Sequence, residues 1–501
     1  MSRHKVAVFV WLMAVAVYAV AVAGRTSFGV AGLTAIDHFE INATTLSLFT
    51  VVQVGVYAAA QIPVGLLLDK YGPRILLGSG ALVLSVGQIG MAMSDTVGLA
   101  LAARFLVGLG DATAFTSVIR LVPSWFSPRR APLFTQLTGI VGGMGQFISS
   151  VPFAFMLANV GWAPAFGGLA IMGFVIAALA FAFIRDTPRK WTITHIEEDD
   201  EDLARQLTST VSDADDMTVG QTLREPASWL GFWTHWLGNF PQTVFLLLWG
   251  VPFLQIHQGM GQAAASGILL VVTGAGIVFG PIVGELTARH SMRRIWIVNG
   301  TAITLALTWA IVLLLPAPSP LWLTIVLLVV LAASGPASSI GFDYARTSIP
   351  ARRLGTANGL INMGGFIAGL ITAWLIGVVL DWSSQGAPLE AGDFKLAMST
   401  QLFAWTLGMI MLEVFRSKTR RRDAERGIHV PPLRDVIARY QAKFETRKAE
   451  AKALRAEAKA LKTEAKEQKA ARKQADRKQT ERKQTEADSQ RALSDERDSR
   501  S

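Results

Sequence analysis

The sequence predicts an all-α membrane protein: twelve transmembrane helices in two six-helix, pseudo-symmetric halves, followed by a cytoplasmic tail that is helical or disordered. Three observations carry that prediction. First, 51% of the 501 residues are apolar and only 17% are charged, with mean hydropathy +0.38, a balance too apolar for a soluble domain or for wholesale disorder. Second, the apolar residues gather into twelve segments, each near or above the ~20 residues a helix needs to cross a bilayer core. Third, charge is segregated. Residues 417–501 hold 25 of the 47 Lys and Arg and 15 of the 37 Asp and Glu, which leaves 22 of each sign in residues 1–416. The basic excess therefore belongs to the tail and is no argument for a nucleic-acid-binding enzyme. The chain has no cysteine, which excludes disulfides, thiolate metal sites and cysteine nucleophiles.

The segments run at about 7–35, 45–68, 75–93, 97–122, 131–157 and 163–184, then 229–256, 262–287, 295–315, 320–345, 354–380 and 395–415. Helix is the reading for each, because backbone facing lipid must satisfy its own hydrogen bonds. Arg3, His4 and Lys5 precede the first apolar run, and Ala21, Val22 and Ala23 imitate a signal-peptidase site. The run is long for a signal peptide, and its removal would break the six-plus-six pattern, so it reads as the first span. Residues 1–185 then form the first half, 186–225 a cytoplasmic linker, 226–416 the second half and 417–501 the tail. With the N-terminus cytoplasmic, the inside loops hold Lys70 and Arg74, Arg129 and Arg130, Arg289, Arg293 and Arg294, and Arg352 and Arg353. The outside loops hold Asp37, Glu40, Asp95, Asp381, Glu390 and Asp393, with Lys395 as the exception at the start of the last span. That asymmetry places both termini in the cytoplasm.

The loops after spans two and eight repeat each other. Gly65 matches Gly284, Lys70 matches Arg289 and Arg74 matches Arg293, each at an offset of 219. Two similarly decorated six-helix halves point to a duplicated transporter. The segment Gly65, Asp69, Lys70, Gly72, Arg74 resembles the loop signature of the major facilitator superfamily, and Arg104, Gly108 and Gly110 on span four resemble its R-x-x-x-G-x-G element. Trp125 to Arg130 and Gly161–Trp162 resemble its recurring loop sequences. The resemblance covers about residues 6–416. The second copy of the loop has Ala288 where the first has Asp69. Family resemblance implies that the Gly65–Arg74 cluster shuts the cytoplasmic side in one state and releases it in another. A purely topogenic role for the same charges is the alternative.

Charged residues inside spans need a partner or a purpose, since each costs at least ~2.5–3.5 kcal/mol near mid-bilayer. Arg25 lies well along span one. Arg104 and Asp111 are seven residues apart on span four, and so nearly on one face. Asp343 and Arg346 lie near the inner end of span ten, where they form either an inner-gate pair with the first half or a local pair. Glu285 sits near the inner end of span eight. The stretch Tyr18–Phe28 resembles the first span of organophosphate and organic-anion members of the superfamily, in which an Arg at this place binds the substrate's anionic group. A guanidinium offers the planar fork such a group needs; a structural ion pair with Asp111 is the competing role. The organophosphate carriers have a second Arg on span seven. By the landmark Trp249, Gly250, Pro252, the corresponding place here is near Thr243, and residues 229–256 contain no Arg or Lys. A carboxylate, a zwitterion or a singly held anion fits better than a doubly clamped phosphate.

Asp111 is the candidate for proton coupling. Burial favours a neutral carboxyl and a nearby Arg favours a charged one, and that competition is what a coupling site needs. A permanently ionised strut is the other role. Arg104 reads as architectural by its motif. Candidate cavity residues are Gln53, Tyr57 and Gln61, which share a helix face, with Gln146, His235, Asn239, Gln242, Trp249, Asn358 and Asn362. Of these, Tyr57, Gln61, Gln146, Asn239, Gln242, Trp249 and Asn362 join Arg25 as the expected substrate-binding set. The glycine pairs Gly139/Gly143 and Gly365/Gly369 allow close helix crossings.

The linker carries an acidic run, Glu197 to Asp202, expected to be solvated. In the tail, Leu433, Val436, Ile437, Tyr440 and Phe444 form an apolar stripe. Lys448, Lys452, Arg455, Lys459, Lys462, Lys466, Lys469 and Lys473 then recur at alternating spacings of four and three. That cationic row suits the anionic inner leaflet, and a solvated or disordered tail is the equal alternative. The sequence as a whole reads as a secondary active transporter in the cell (cytoplasmic) membrane, working by alternating access. Its cargo is a small organic anion or zwitterion, with a proton or other ion as a coupling partner. No cofactor, metal or nucleic-acid partner is expected. A multidrug-type exporter and a non-transporting scaffold or sensor acting through the tail are the rivals. A nucleotide-driven pump is disfavoured by the missing G-x-x-x-x-G-K-[ST] loop.

Overall fold

Lipid leaves backbone groups no partner but each other, and the described residues form helices and no strands. The computed structural model describes residues 3–41, 43–187, 217–385 and 387–427, and within the tail 448, 450, 468–469, 473–474, 477–480 and 482–485. Met1–Ile428 is one compact unit and His429–Ser501 a second. We number the spanning helices α1 (Arg3–Val30), α2 (43–71), α3 (73–92), α4 (Val97–Trp125), α5 (Ala131–Asn159), α6 (Trp162–Phe183), α7 (226–256), α8 (262–289), α9 (Ile295–Leu314), α10 (Leu321–Ser348), α11 (Leu354–Ser384) and α12 (Ala391–Glu425). Among the described residues, ten helical stretches are long and apolar enough to cross a membrane. The count of twelve comes from dividing Val51–Ala92 between α2 and α3, and from α7, whose Trp, His, Asn and Gln residues lower its hydropathy.

The division falls at Gly72, with φ +82° and ψ 165° inside an otherwise continuous helical run. Pro73 follows and cannot donate to the preceding turn. A side chain at Gly72 would be strained by its φ and would also meet the Asp186 carboxylate, 2.7 Å from the Cβ position. Two other helices change pitch. α5 widens to a π-turn at Ser149–Phe153, which contains Pro152, and α7 does so at Phe245–Trp249, one turn after Pro241. Three indole donors inside the bundle tie helices together: Trp11 bonds Thr138 Oγ1 (2.9 Å), Trp162 bonds Met91 O (2.7 Å) and Trp236 bonds Ala404 O (3.0 Å), whereas the buried indoles of Trp233, Trp309 and Trp405 meet no acceptor among the described residues. The expected glycine crossings are only partly realised. Gly365 and Gly369 press on α7, but on α5 the glycines that meet α1 are Gly142 and Gly145, while Gly139 and Gly143 face open space.

The two halves meet along a seam at the end of the bundle that carries the basic loops. α2 lies against α11, α5 against α8 and α10, and α4 against α11. An apolar cluster of Phe115 and Ile119 with Phe342, Ala345, Ile349, Leu354, Ala357 and Ile361 fills it. Polar ties cross it as well: Gln136 Nε2 donates to Pro336 O (2.9 Å) and Arg346 Nη1 to Pro128 O (3.2 Å). Near the end of the linker, a short helix Val219–Arg224 opens with a capping box between Thr218 and Gln221. Glu225 follows, buried beside Arg422 of α12 (3.1 Å) and Arg426 just past its end (4.0 Å). Burial pushes its carboxyl up, and the two guanidiniums pull against that shift.

The acidic run 197–202, the apolar stripe 433–444 and Lys452 to Lys466 of the cationic row lie outside the described residues. Lys448, Lys469 and Lys473 are helical and exposed.

Candidate functional site

Arg25 projects from α1 toward α4, and Asp111 of α4 meets it in a two-pronged pair. Nε donates to Oδ2 at 2.7 Å and Nη2 to Oδ1 at 2.9 Å. The carboxylate is 1% exposed and the guanidinium side chain 18% exposed, so Arg25 is the member of the pair that a solute can reach. Its Cζ stands 4.7 Å above the Tyr57 ring and 5.8 Å from that of Phe366, placing aromatic faces around a cation in a low-dielectric site. Tyr57 Oη accepts a 2.9 Å hydrogen bond from Asn362 Nδ2. This bond ties α2 of one half to α11 of the other, directly beside the charge pair.

Toward the basic-loop end, rings form a floor across both halves. Tyr18 lies 5.3 Å from Phe115, Phe115 lies 5.4 Å from Phe342, and Phe342 lies 5.1 Å from His235. His235 is buried, with Nδ1 3.4 Å from Ser338 O and Nε2 without a hydrogen-bond partner among the described residues. Asn239, one turn along α7, packs on Gly365 and donates to Thr243 Oγ1 (3.2 Å). The repeat offset of 219 carries Arg25 to Val244, which is 1% exposed. The first half thus supplies the charges here and the second half supplies neutral hydrogen-bonding groups.

Other expected residues lie elsewhere. Gln61 is fully buried between α2 and α4, bonded to Thr116 Oγ1 (2.9 Å). Gln242 donates to the carbonyls of Leu331 and Ala332 on α10 (3.0 and 3.2 Å). Trp249 donates to Ala373 O on α11 (2.9 Å). Gln146 is exposed on α5, one turn from the Ser149 hydroxyl that meets Thr26 (2.7 Å). Arg104 is fully buried: Nη1 bonds Gly24 O (3.2 Å) and Gln53 Oε1 (3.1 Å), and Cζ lies 4.5 Å over the Phe28 ring. It and Asp111 both face α1.

At the seam, Asp69 caps the start of α11. Its carboxylate accepts from Gly355 N (2.7 Å), Thr356 N (2.8 Å) and Thr356 Oγ1 (2.5 Å), where orphan N–H groups and the helix dipole favour an anion. Gly65 makes this approach possible, since a Cβ there would stand 2.5 Å from Gly355 O. Arg74 holds the α6 end through Phe181 O (3.0 and 2.5 Å) and receives Asp186 at its N–H (2.7 Å). Lys70 is exposed over Tyr71. Arg346 pairs with Asp343 on its own helix (2.8 Å) while reaching Pro128 across the seam. Asp69→Ala orphans three donors and is expected to weaken the seam by about 1–3 kcal/mol. Faster proteolysis or labelling of residues 354–358 would register that loss, and unchanged protection would refute it.

Sequence reasoning did not single out Phe115 and Phe342, because a floor-forming Phe looks like any lipid-facing one. It also passed over His38 and His257, although their separation is again 219. Each stacks on an aromatic ring at the end opposite the basic loops, His38 on Trp162 and His257 on Phe253, both at 4.6 Å. The repeat offset was the signal that finds them. Burial and the charge of Lys395 push the His257 imidazole down to about 4.

The sequence model of the Major Facilitator Superfamily matches residues 14–373. The probable galactarate/D-glucarate transporter GarP of Escherichia coli (strain K12) is 23% identical over 423 residues, covering 79% of this chain and 93% of that protein. The probable L-galactonate transporter of the same strain is 27% identical over 153 residues, so that the match spans 30% of this chain and only 34% of that transporter's length. Among solved structures, the proton:xylose symporter XylE bound to 6-bromo-6-deoxy-D-glucose superposes with TM-score 0.61 at 14% identity, covering 83% of this chain and 96% of that one. That likeness is one of fold.

Proposed function

The chain belongs to the Major Facilitator Superfamily, and on that footing we propose that it moves a small organic anion across the cytoplasmic membrane by alternating access, with a proton as its companion. The observation that carries this reading is the Arg25–Asp111 pair, a reachable guanidinium held by a buried carboxylate. The acids named for the similar transporters, galactarate, glucarate and galactonate, support the substrate class.

The chemistry follows from what the pair can exchange. An incoming carboxylate presents Arg25 with two oxygens in the geometry that Asp111 offers, so it can take over both N–H donors. Asp111 then remains as a desolvated anion without its counter-ion, a state that costs several kcal/mol. Taking up a proton removes that cost, so binding of a monoanion draws in one proton. Tyr57 and Asn362 stand beside the exchanged donors and link the event to the second half. With the basic loops cytoplasmic and both termini on that side, the seam is the inner seal and the site opens outward. Rocking to the inward state then requires release of Asp69 from α11 and of Arg346 from Pro128.

The test is uptake of galactonate and galactarate by proteoliposomes containing the purified protein. An acid-outside gradient is expected to drive accumulation by the wild type. Asp111→Asn is expected to keep binding but to lose the response to the gradient. Absence of uptake for every hydroxy acid tried, under either gradient, would overturn the reading.

A further inference from the structure

We infer that a single water molecule is held at the seam between the two halves, by Thr135 of α5 on one side and by Asp343 of α10 and Asn358 of α11 on the other. These side chains line a cavity with Arg346, and its apolar walls include Ile119 and Phe342 of the cluster that fills the seam. About 10 Å³ of it is open to the centre of a water molecule, which is room for one water and no more. Thr135, Asp343 and Asn358 are only 5%, 3% and 2% exposed, so little of what they bond can be bulk solvent.

The chemistry of the walls selects the guest. Asn358 Oδ1 is buried and meets no donor among the described residues, and an acceptor left in that state bears its full desolvation cost. Both bonds from Arg346 to Asp343 end on Oδ1, from Nε (3.1 Å) and Nη2 (2.8 Å), which leaves Oδ2 to accept from a guest. Thr135 contributes a hydroxyl, which can donate as well as accept. A water that donates to Asn358 Oδ1 and Asp343 Oδ2 and accepts from Thr135 makes the three bonds typical of a buried water. An apolar guest would leave both acceptors unpaired. A metal cation would need a net negative site, and Arg346 already balances the one carboxylate among the lining residues. The bonds of this water join α5 to α10 and α11, beside the direct ties from Gln136 to Pro336 and from Arg346 to Pro128. A bridging water is nearly as favourable as a direct bond, yet it strands no side chain when the halves part. Each wall group exchanges it for other waters as the seam opens.

The inference concerns the seam and stands whatever the cargo, so its test is independent of uptake. Hydroxyl-radical footprinting with brief X-ray pulses, read by mass spectrometry on the full-length protein in detergent, detects a bound water because radicals form from that water itself. Phe342, 3% exposed and in the cavity wall, is expected to be oxidised several-fold faster than Phe232, 5% exposed and outside it. After mixing into heavy-oxygen water, the label is expected to enter at Phe342 more slowly than at Phe147, which is 61% exposed. Thr135→Val keeps the shape of the wall but removes the donor, and is expected to speed that entry by about two- to tenfold, the range one hydrogen bond controls. Thr135→Ile fills the cavity and is expected to lower oxidation of Phe342 to the rate of Phe232. Should Thr135→Ile fail to fold, the Thr135→Val comparison decides alone. Replacing sodium by choline in the buffer is expected to change nothing. Oxidation of Phe342 no faster than of Phe232, label entry as fast as at Phe147, or wild-type exchange in Thr135→Val would each overturn the assignment. A footprint lost on removing sodium would overturn it in favour of a cation.

Discussion

Arg25→Ala is expected to weaken binding of the transported acid by on the order of 10²–10³-fold, equivalent to ~3–4 kcal/mol, a loss typical of truncating one partner of a buried hydrogen-bonded charge pair. The expectation rests on geometry. Arg25 presents its fork to a carboxylate already, at 2.7 and 2.9 Å, and residues 229–256 supply no second cation to compensate. Arg25→Lys keeps the charge but not the fork, and an intermediate loss is expected. Folding is expected to survive Arg25→Ala, because the stranded Asp111 can take a proton. Calorimetric titration with the acid, alongside the uncharged polyol of the same carbon skeleton, reads the effect. The acid is expected to lose its advantage over the polyol. Equal loss for both ligands, or none for either, would remove Arg25 from anion recognition.

Gly355→Val is expected to abolish transport while leaving each half folded. A Cβ at this position would lie 2.6 Å from an Asp69 carboxylate oxygen and 2.7 Å from Gly65 O. The obstruction is partly backbone, so the cost belongs near or above the top of the ~1–3 kcal/mol typical of overpacking. The strain falls on the contact between halves, because Gly355 faces α2 and not its own bundle. A conformation with α2 and α11 parted at this end is expected to dominate. The chain has no cysteine, so Asn358→Cys, at a position 2% exposed behind the seam, reports directly. Its alkylation is expected to speed up by an order of magnitude or more in the Gly355→Val background, in step with the ~10-fold that 1.4 kcal/mol provides. Unchanged labelling would show that this crossing does not hold the seam.

Both expectations draw on features that differ in how far the sequence discloses them. Span positions were legible because lipid imposes one crude requirement, about twenty apolar residues. The duplicated loops were legible because topology demands cations at fixed places. α2 and α3 read as two spans because the charged loop from Asp69 to Arg74 interrupts the apolar run, and the helical run breaks there, at Gly72. The partner of Arg25 was legible only as one of two alternatives. Asp111 lies 86 residues away in the chain, and only the packing of α1 on α4 decides whether the fork meets it. Gln242 and Trp249 show the opposite limit. Polar tips on span seven resemble cavity residues in the sequence, yet these two are bonded to carbonyls of α10 and α11. Periodicity assigns a face to a side chain but does not say whether a neighbouring helix covers that face. The π-turn at Phe245–Trp249 compounds this by shifting the register of everything after it.

The Arg25–Asp111 pair has an electrical consequence. A guanidinium and a carboxylate locked together cancel, so the pair presents no net monopole to the transmembrane voltage when the cycle resets without cargo. The field is worth ~2.3 kcal/mol per elementary charge per 100 mV. In the cycle proposed above, it acts at this pair only on the charge that the solute and its proton would bring, and for a monoanion with one proton that sum is zero.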